Sequence, residues 1–146
     1  MAIYRSREVA EFVNPLFIGP KEKVTVSATS ATGTINFNVS DQAVLYYTTS
    51  AGANWTLNLR GNASTTLSSL LPVGQSFTVS FLVTNGSTPY YQSATQIDGN
   101  AVTPKWLGGF APTAGSASSI DVYSFTIVKT AATPTYLVLA SVGRFA

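Results

Sequence analysis

The side chains that most often carry catalysis and metal binding are scarce in this sequence, which contains no histidine and no cysteine. Their absence excludes a serine–histidine–aspartate triad, a cysteine–histidine pair and an ordinary zinc site. Beyond residue 23 the only carboxylates are Asp41, Asp98 and Asp121. A glycosidase needs two carboxyl groups that flank the scissile bond. We therefore expect no enzymatic activity, no cofactor and no metal.

Each of the three aspartates has a structural interpretation. Asp98 precedes Gly99, and both positions of a two-residue hairpin turn tolerate positive φ. Asp41 follows a predicted strand, where Asp-Gln suits a turn. Asp121 alternates with apolar strand residues, so we expect it to face solvent or to pair with a lone base such as Lys129.

Aromatic rings are the remaining candidates for recognition. Tyr90, Tyr91 and Trp106 lie near predicted turns and a long loop. Planar rings with a polar group can stack on sugars, and they also suit subunit contacts. Both a glycan-binding role and packing in the core or at an interface are open for these three residues. Trp55, by contrast, lies in an alternating strand and is predicted to be part of the core.

The elements that carry these residues are predicted to be strands. Apolar and polar residues alternate in several short segments that turn-forming residues separate. The clearest are 35–39, 55–59, 77–83 and 120–130. Because no helices separate the strands, a βαβ architecture is excluded, and the pattern predicts an all-β sandwich or a jelly-roll-like domain.

Two segments between the strands have a different character. Thr65–Leu71 is predicted to form a helical turn that Pro72 ends. Pro104–Ser119 has no periodicity and is predicted to be a long loop, a place where contacts are often made.

Charge divides the chain into an arm, residues 1–23, and a single β domain, residues 24–146. The arm holds seven of the fourteen charged residues. It is predicted to be a helix from Ser6 to Val13 or an extended segment, with a hinge at Gly19-Pro20. It either packs as an edge element or docks on a partner. Its candidate docking residues are apolar: Ile3, Tyr4, Phe12, Val13, Leu16, Phe17 and Ile18.

The overall composition restricts the possible partners. Only 10% of residues are charged, against roughly 25% in a typical soluble domain. The net charge of +2 is small, and Lys and Arg do not form the cluster that nucleic-acid binding requires. No apolar run is long enough to cross a bilayer, and the N-terminus does not have the pattern of a signal peptide. We expect neither nucleic-acid binding nor membrane insertion.

Several long motifs are distributed in order along the chain. They are LYYTT (45–49), NWTL (54–57), RGN (60–62), FLVTNGSTPYY (81–91), QIDG (96–99), VTPKW (102–106) with Gly108-Gly109, and SIDVY (119–123). Over about Val24 to Phe145 the chain resembles a β-domain that recurs in virion structural proteins of marine and cyanobacterial phages, including tail-fibre-like proteins. The resemblance implies a structural protein of the particle, with no catalytic residues to carry over.

Because only a short arm precedes the domain, we expect a capsid decoration (cement) protein or a short head or tail fibre rather than a long trimeric shaft. Such a protein would lie on the virion surface as a homo-oligomer, a trimer or a dimer, bound to other capsid or tail proteins. The alternatives are a module that binds host-surface glycans during adsorption, and a secreted carbohydrate-binding domain of a bacterial enzyme.

Overall fold

The computed structural model describes residues 12–146, which form two packed β-sheets and one short helix. Sheet A contains, in spatial order, β1 (Val24–Ser30), β3 (Val44–Thr49), β5 (Ser76–Thr84), β9 (Ile120–Ala131), β10 (Thr135–Phe145) and β8 (Lys105–Trp106). Sheet B contains β2 (Gly33–Asn38), β4 (Trp55–Arg60), β6 (Gln92–Ile97) and β7 (Asn100–Val102). The helix α1 spans Leu67–Leu70. The predicted all-β sandwich is confirmed.

The first six strands form a two-layer coil. The chain passes from one sheet to the other after each strand, so strands that are neighbours in a sheet run parallel. The last long strands, β9 and β10, instead add to β5 as an antiparallel pair. A jelly roll is built from antiparallel Greek keys, so this sandwich has a different topology. Parallel pairing occurs here without crossover helices because the opposite sheet supplies each return.

The core lies between the sheets and is rich in aromatic rings. Trp55 of sheet B is 1% exposed, as predicted. Its ring stands edge-on to Phe81 and Tyr123 of sheet A, with centroids 6.1 and 5.6 Å apart. Both partners occupy inward positions of their strands, since alternate residues of a strand point to opposite faces. Edge-to-face rings at these distances stabilise a core beyond their buried area.

The predicted turns are largely confirmed. Asp98 and Gly99 both have positive φ, 51° and 81°, and join β6 to β7 as a two-residue hairpin. The helical turn predicted at Thr65–Leu71 is α1. The segment Pro104–Ser119 is not wholly irregular: it begins with β8 and a 3-10 turn at Leu107–Gly109, and residues 110–119 form the loop. The two residues of β8 are too few to show a periodic pattern in the sequence. They form a strand because they pair with β10.

Residues 12–23 precede β1 without regular secondary structure. Predictions about Ile3, Tyr4 and most of the Ser6–Val13 helix concern residues outside the described part. Within residues 12–146, no helix has the length and apolar character needed to cross a membrane.

Candidate functional site

Asp41 and Asp98 serve the local structure. Asn38 donates its side-chain N–H to Asp41 over 2.8 Å, within the turn that follows β2. The carboxylate of Asp98 accepts hydrogen bonds from the backbone N–H groups of Leu67 and Ser68, at 2.6 and 3.0 Å. Asp98 therefore has two structural roles, one in its hairpin and one at the start of α1. Both of its oxygens accept structural hydrogen bonds.

The prediction for Asp121 was wrong. Its side chain is fully buried, on the same inward side of β9 as Tyr123. The carboxylate accepts hydrogen bonds from Asn85 Nδ2 and Ser116 N, both at 3.1 Å, and from Ser119 Oγ at 3.4 Å. The loop 110–119 covers this end of the sheet and supplies two of these donors. Lys129 instead donates to the carbonyl and hydroxyl of Ser68.

The Asn85–Asp121 pair also fixes the predicted aromatic residue Tyr90. Asn85 accepts from the backbone N–H of Tyr90 and donates to its carbonyl, at 3.0 and 3.2 Å. The loop approaches so closely that a Cβ on Gly115 would lie 2.1 Å from the Tyr90 carbonyl oxygen. The next residue, Tyr91, donates its N–H to Asn54. Both tyrosines are half-buried on a firmly held backbone.

Trp106 is also half-buried and closes one side of the core. Its ring stands edge-on to Tyr123 and Phe125, with centroids 6.5 and 6.0 Å apart. Burial raises the pKa of the Tyr123 hydroxyl to about 12. A cavity of about 270 Å³ beside Trp106 is lined in part by Gln92, Pro104 and Pro112, and by neither Tyr90 nor Tyr91. The three predicted aromatic residues therefore do not line this cavity together.

The outer face of sheet A is the largest feature that the sequence did not reveal. The strand registers place one set of residues on it, here named the sheet A face. Its members are Val24, Val26, Val44, Tyr46, Ser76, Thr78, Ser80, Leu82, Thr84, Ile120, Val122, Ser124, Thr126, Val128, Leu137, Leu139, Ser141 and Phe145. Lys105, on the short edge strand β8, also belongs to the face and is its only charged residue within the described chain.

Hydroxyl groups on the sheet A face bond to one another. Ser80 and Ser124 are opposite each other, with their Oγ atoms 3.1 Å apart. Thr78 and Thr126 form a second pair at 3.3 Å. Beside these pairs, a cavity of about 360 Å³ is bordered by Leu139 and the 3-10 turn. The face is thus largely apolar, and two pairs of its hydroxyl groups are bonded to each other.

The outer face of sheet B has the opposite character and is rich in amides. Asn58 Nδ2 donates to Asn36 Oδ1 over 2.8 Å, and Arg60 Nε donates to Asn38 Oδ1 over 2.8 Å. A polar cavity of about 340 Å³ lies at the end of this face, beside Arg60 and Asp98. The two sides of the sandwich therefore differ in charge and in hydrogen-bonding capacity.

The described part of the arm carries the other apolar surface. Its five predicted docking residues, Phe12, Val13, Leu16, Phe17 and Ile18, are between 68% and 91% exposed. Directly after the arm, strand β1 of sheet A also presents apolar side chains to solvent: Val24 is 49% exposed and Val26 is 65% exposed. Apolar side chains are therefore exposed both on the arm and on β1, with the charged residues Lys21, Glu22 and Lys23 between them.

No protein-family model matches this chain, and the searches of curated proteins and of solved structures likewise find no match. The arm could be recognised from sequence because its apolar residues are contiguous. The sheet A face could not, because its members come from strands that are far apart in the chain, and only the register of the sheet brings them together.

Proposed function

We propose that this chain is a structural protein of a bacteriophage particle, exposed on the particle surface as a capsid decoration (cement) protein or a short head or tail fibre. The motifs between Val24 and Phe145 support this proposal through their resemblance to virion structural proteins. The observation that carries it is the arm, which presents five apolar side chains to solvent ahead of a well-packed domain.

The arm has the properties of an attachment segment. Burying a large aliphatic or aromatic side chain is favourable by about 1.5–3 kcal/mol, and within residues 12–146 the five arm residues are left largely in water. A partner with an apolar groove would gain this free energy. Gly19, with φ of 63°, and Pro20 separate the apolar segment from β1. The arm therefore supplies the anchor to a capsid or tail protein, and the domain remains on the surface.

The domain suits a building block rather than a catalyst. Asp98 and Asp121 accept structural hydrogen bonds through both carboxylate oxygens. The outer face of sheet A provides surface for contacts between copies, in keeping with a homo-oligomer. Symmetric repetition of one contact is the usual way in which identical chains assemble.

Attachment to the particle can be measured directly. The full-length chain is labelled and added to purified phage particles that lack it, and bound copies are counted by immunogold microscopy and quantitative mass spectrometry. The double change Leu16→Ser with Phe17→Ser is expected to weaken attachment by roughly tenfold or more, because two buried apolar side chains are lost.

The matched control is Val73→Ser, which removes an exposed apolar side chain outside the arm and should leave attachment unchanged. Mass spectrometry of native particles provides the decisive result. If the chain is absent from purified particles of the phage that encodes it, the proposed function is wrong.

Binding of host-surface glycans is a second candidate, favoured by the half-exposed Trp106 ring beside its cavity. Because the other tryptophan, Trp55, is fully buried, a change in tryptophan fluorescence on adding host lipopolysaccharide would report on Trp106. Saturable quenching that Trp106→Phe removes would support adsorption. No change with any host glycan would exclude this site.

A further inference from the structure

We propose that the sheet A face is the surface through which two copies of this chain associate, face to face. The expectation of a homo-oligomer rests on the proposed function, but the choice of surface rests on the residues of the face. The occupant is a second copy of the same chain, related by a two-fold axis.

Charge is the first argument for a second copy. In a two-fold interface the same patch meets itself, so charges of one sign on that patch would meet charges of the same sign or be buried unpaired. The four central strands, β3, β5, β9 and β10, present no charged residue on this face. A strongly charged partner would find no complementary group on these four strands, whereas the same strands of a second copy bring no charge to bury; Lys105 lies at the edge of the face, on β8.

Hydrogen bonding is the second argument. A buried hydroxyl without a partner is costly. On this face the Ser80–Ser124 and Thr78–Thr126 pairs already bond across β5 and β9, and Thr84 Oγ1 donates to the Tyr46 hydroxyl at 3.4 Å. These groups can lose contact with water without losing all their partners. The apolar side chains between them, such as Leu82 and Val122, then gain by burial.

The size of the face agrees with a stable dimer. Six strands spaced about 4.8 Å apart span about 24 Å, and a nine-residue strand such as β5 rises about 27 Å. Two such faces would bury about 1,300 Å² in total, within the roughly 1,200–2,000 Å² range of stable specific interfaces. The face is therefore large enough without a contribution from the arm.

Sedimentation of the full-length chain over a range of concentrations tests this proposal. We expect a reversible dimer. Leu82→Glu, at the centre of the face, is expected to raise the dimer dissociation constant by at least roughly tenfold, because it buries an unpaired charge. Thr56→Glu, the same new charge on the outer face of sheet B, is the matched control and should leave the constant unchanged.

A second measurement does not depend on a disruptive variant. The chain has no cysteine, so Ser124→Cys introduces a single thiol on the sheet A face. Its reaction with a small alkylating reagent should slow by roughly tenfold or more as the protein concentration passes the dissociation constant. The thiol introduced by Thr34→Cys, on the outer face of sheet B, should react at the same rate throughout.

A chain that is monomeric at all concentrations would overturn the proposal. An oligomer whose dissociation constant is unchanged by Leu82→Glu and whose thiol at position 124 stays reactive would also overturn it. Another surface, such as the arm, would then join the copies. A dimer with these properties whose chain is absent from phage particles would support the interface and refute the proposed function. A chain that is monomeric in solution but present on phage particles would refute the interface and support the proposed function.

Discussion

Asp98 and Lys129 hold the same helical turn from two different sheets. Asp98, in the hairpin of sheet B, accepts from the N–H groups of Leu67 and Ser68, and Lys129, on β9 of sheet A, donates to the Ser68 carbonyl over 2.7 Å. Thr66 accepts the next N–H, that of Ser69. A helix of one turn leaves nearly all its backbone groups without internal partners. These side chains satisfy them and connect the two sheets through α1.

Replacing Asp98 with asparagine tests this role separately from the hairpin. Asn-Gly favours the same turn as Asp-Gly, so Asp98→Asn preserves the hairpin while it removes the charge and one acceptor. We expect the free energy of unfolding, measured in guanidinium chloride, to fall by about 1–3 kcal/mol. Asp41→Asn, in an exposed turn, is the control and should cost less. Equal losses in the two variants would show that Asp98 does not stabilise α1.

Gly115 should not tolerate a side chain. The added Cβ would lie 2.1 Å from the Tyr90 carbonyl oxygen and 2.9 Å from Asn85 Nδ2. The backbone would have to move and would weaken the hydrogen bonds of Asn85 to Tyr90 and Asp121. We expect Gly115→Ala to lower the free energy of unfolding by about 2 kcal/mol or more. At Gly52 the nearest atom is the Ser30 hydroxyl at 3.1 Å. Gly52→Ala should therefore lower the free energy of unfolding clearly less than Gly115→Ala does, when both variants are compared by thermal unfolding.

Trp106 should contribute to stability whether or not it binds a ligand. Its ring contacts Tyr123 and Phe125, and it is half-buried, so Trp106→Ala should cost about 2 kcal/mol, less than the roughly 3–5 kcal/mol of a core tryptophan. The neighbouring Leu107 is 81% exposed, and Leu107→Ala should be nearly neutral. If chemical denaturation gives the same value for both variants, Trp106 does not support the core.

Alkaline pH should destabilise the fold through Tyr123. Burial raises the pKa of this hydroxyl from 10.0 to about 12, so between these values the folded chain retains a proton that the unfolded chain has lost. The free energy of unfolding should therefore be unaffected below pH 10 and fall above it, by up to about 1.4 kcal/mol per pH unit.

Tyr123→Phe removes this contribution, although burial also raises the pKa values of Tyr47 and Tyr136, which leaves a smaller decline of the same sign. The comparison requires unfolding curves of both proteins at several pH values between 9 and 12. Parallel losses of stability in the two proteins would contradict the assignment to Tyr123.

Local signals in the sequence predicted the features that depend on neighbouring residues. The alternation around Trp55 gave its burial, Asp98-Gly99 gave the hairpin, and Pro72 marked the end of α1. These features follow from side-chain direction, backbone preference and the missing N–H of proline. None of them requires knowledge of a distant part of the chain.

The features that sequence reasoning missed depend on distant pairing. Asp121 was expected to face solvent or to pair with Lys129, because a strand pattern cannot show that the loop 110–119 covers the end of β9 and provides the N–H of Ser116. The parallel coil was not predicted because strand order is decided by packing between the sheets. The sheet A face also required the register, since Leu82 and Val122 are neighbours only through the pairing of β5 with β9.

The topology also determines the order in which the parts of the chain can fold. The β9–β10 hairpin joins residues close in sequence, with Ala131 opposite Thr135, and hairpins of this kind form within microseconds. The seam between β5 and β9 joins residues about 36 to 52 positions apart, and closing such distant pairs makes folding slow. The sheet A face exists only after this seam has closed. The association that we propose through that face would therefore follow folding and could not guide it.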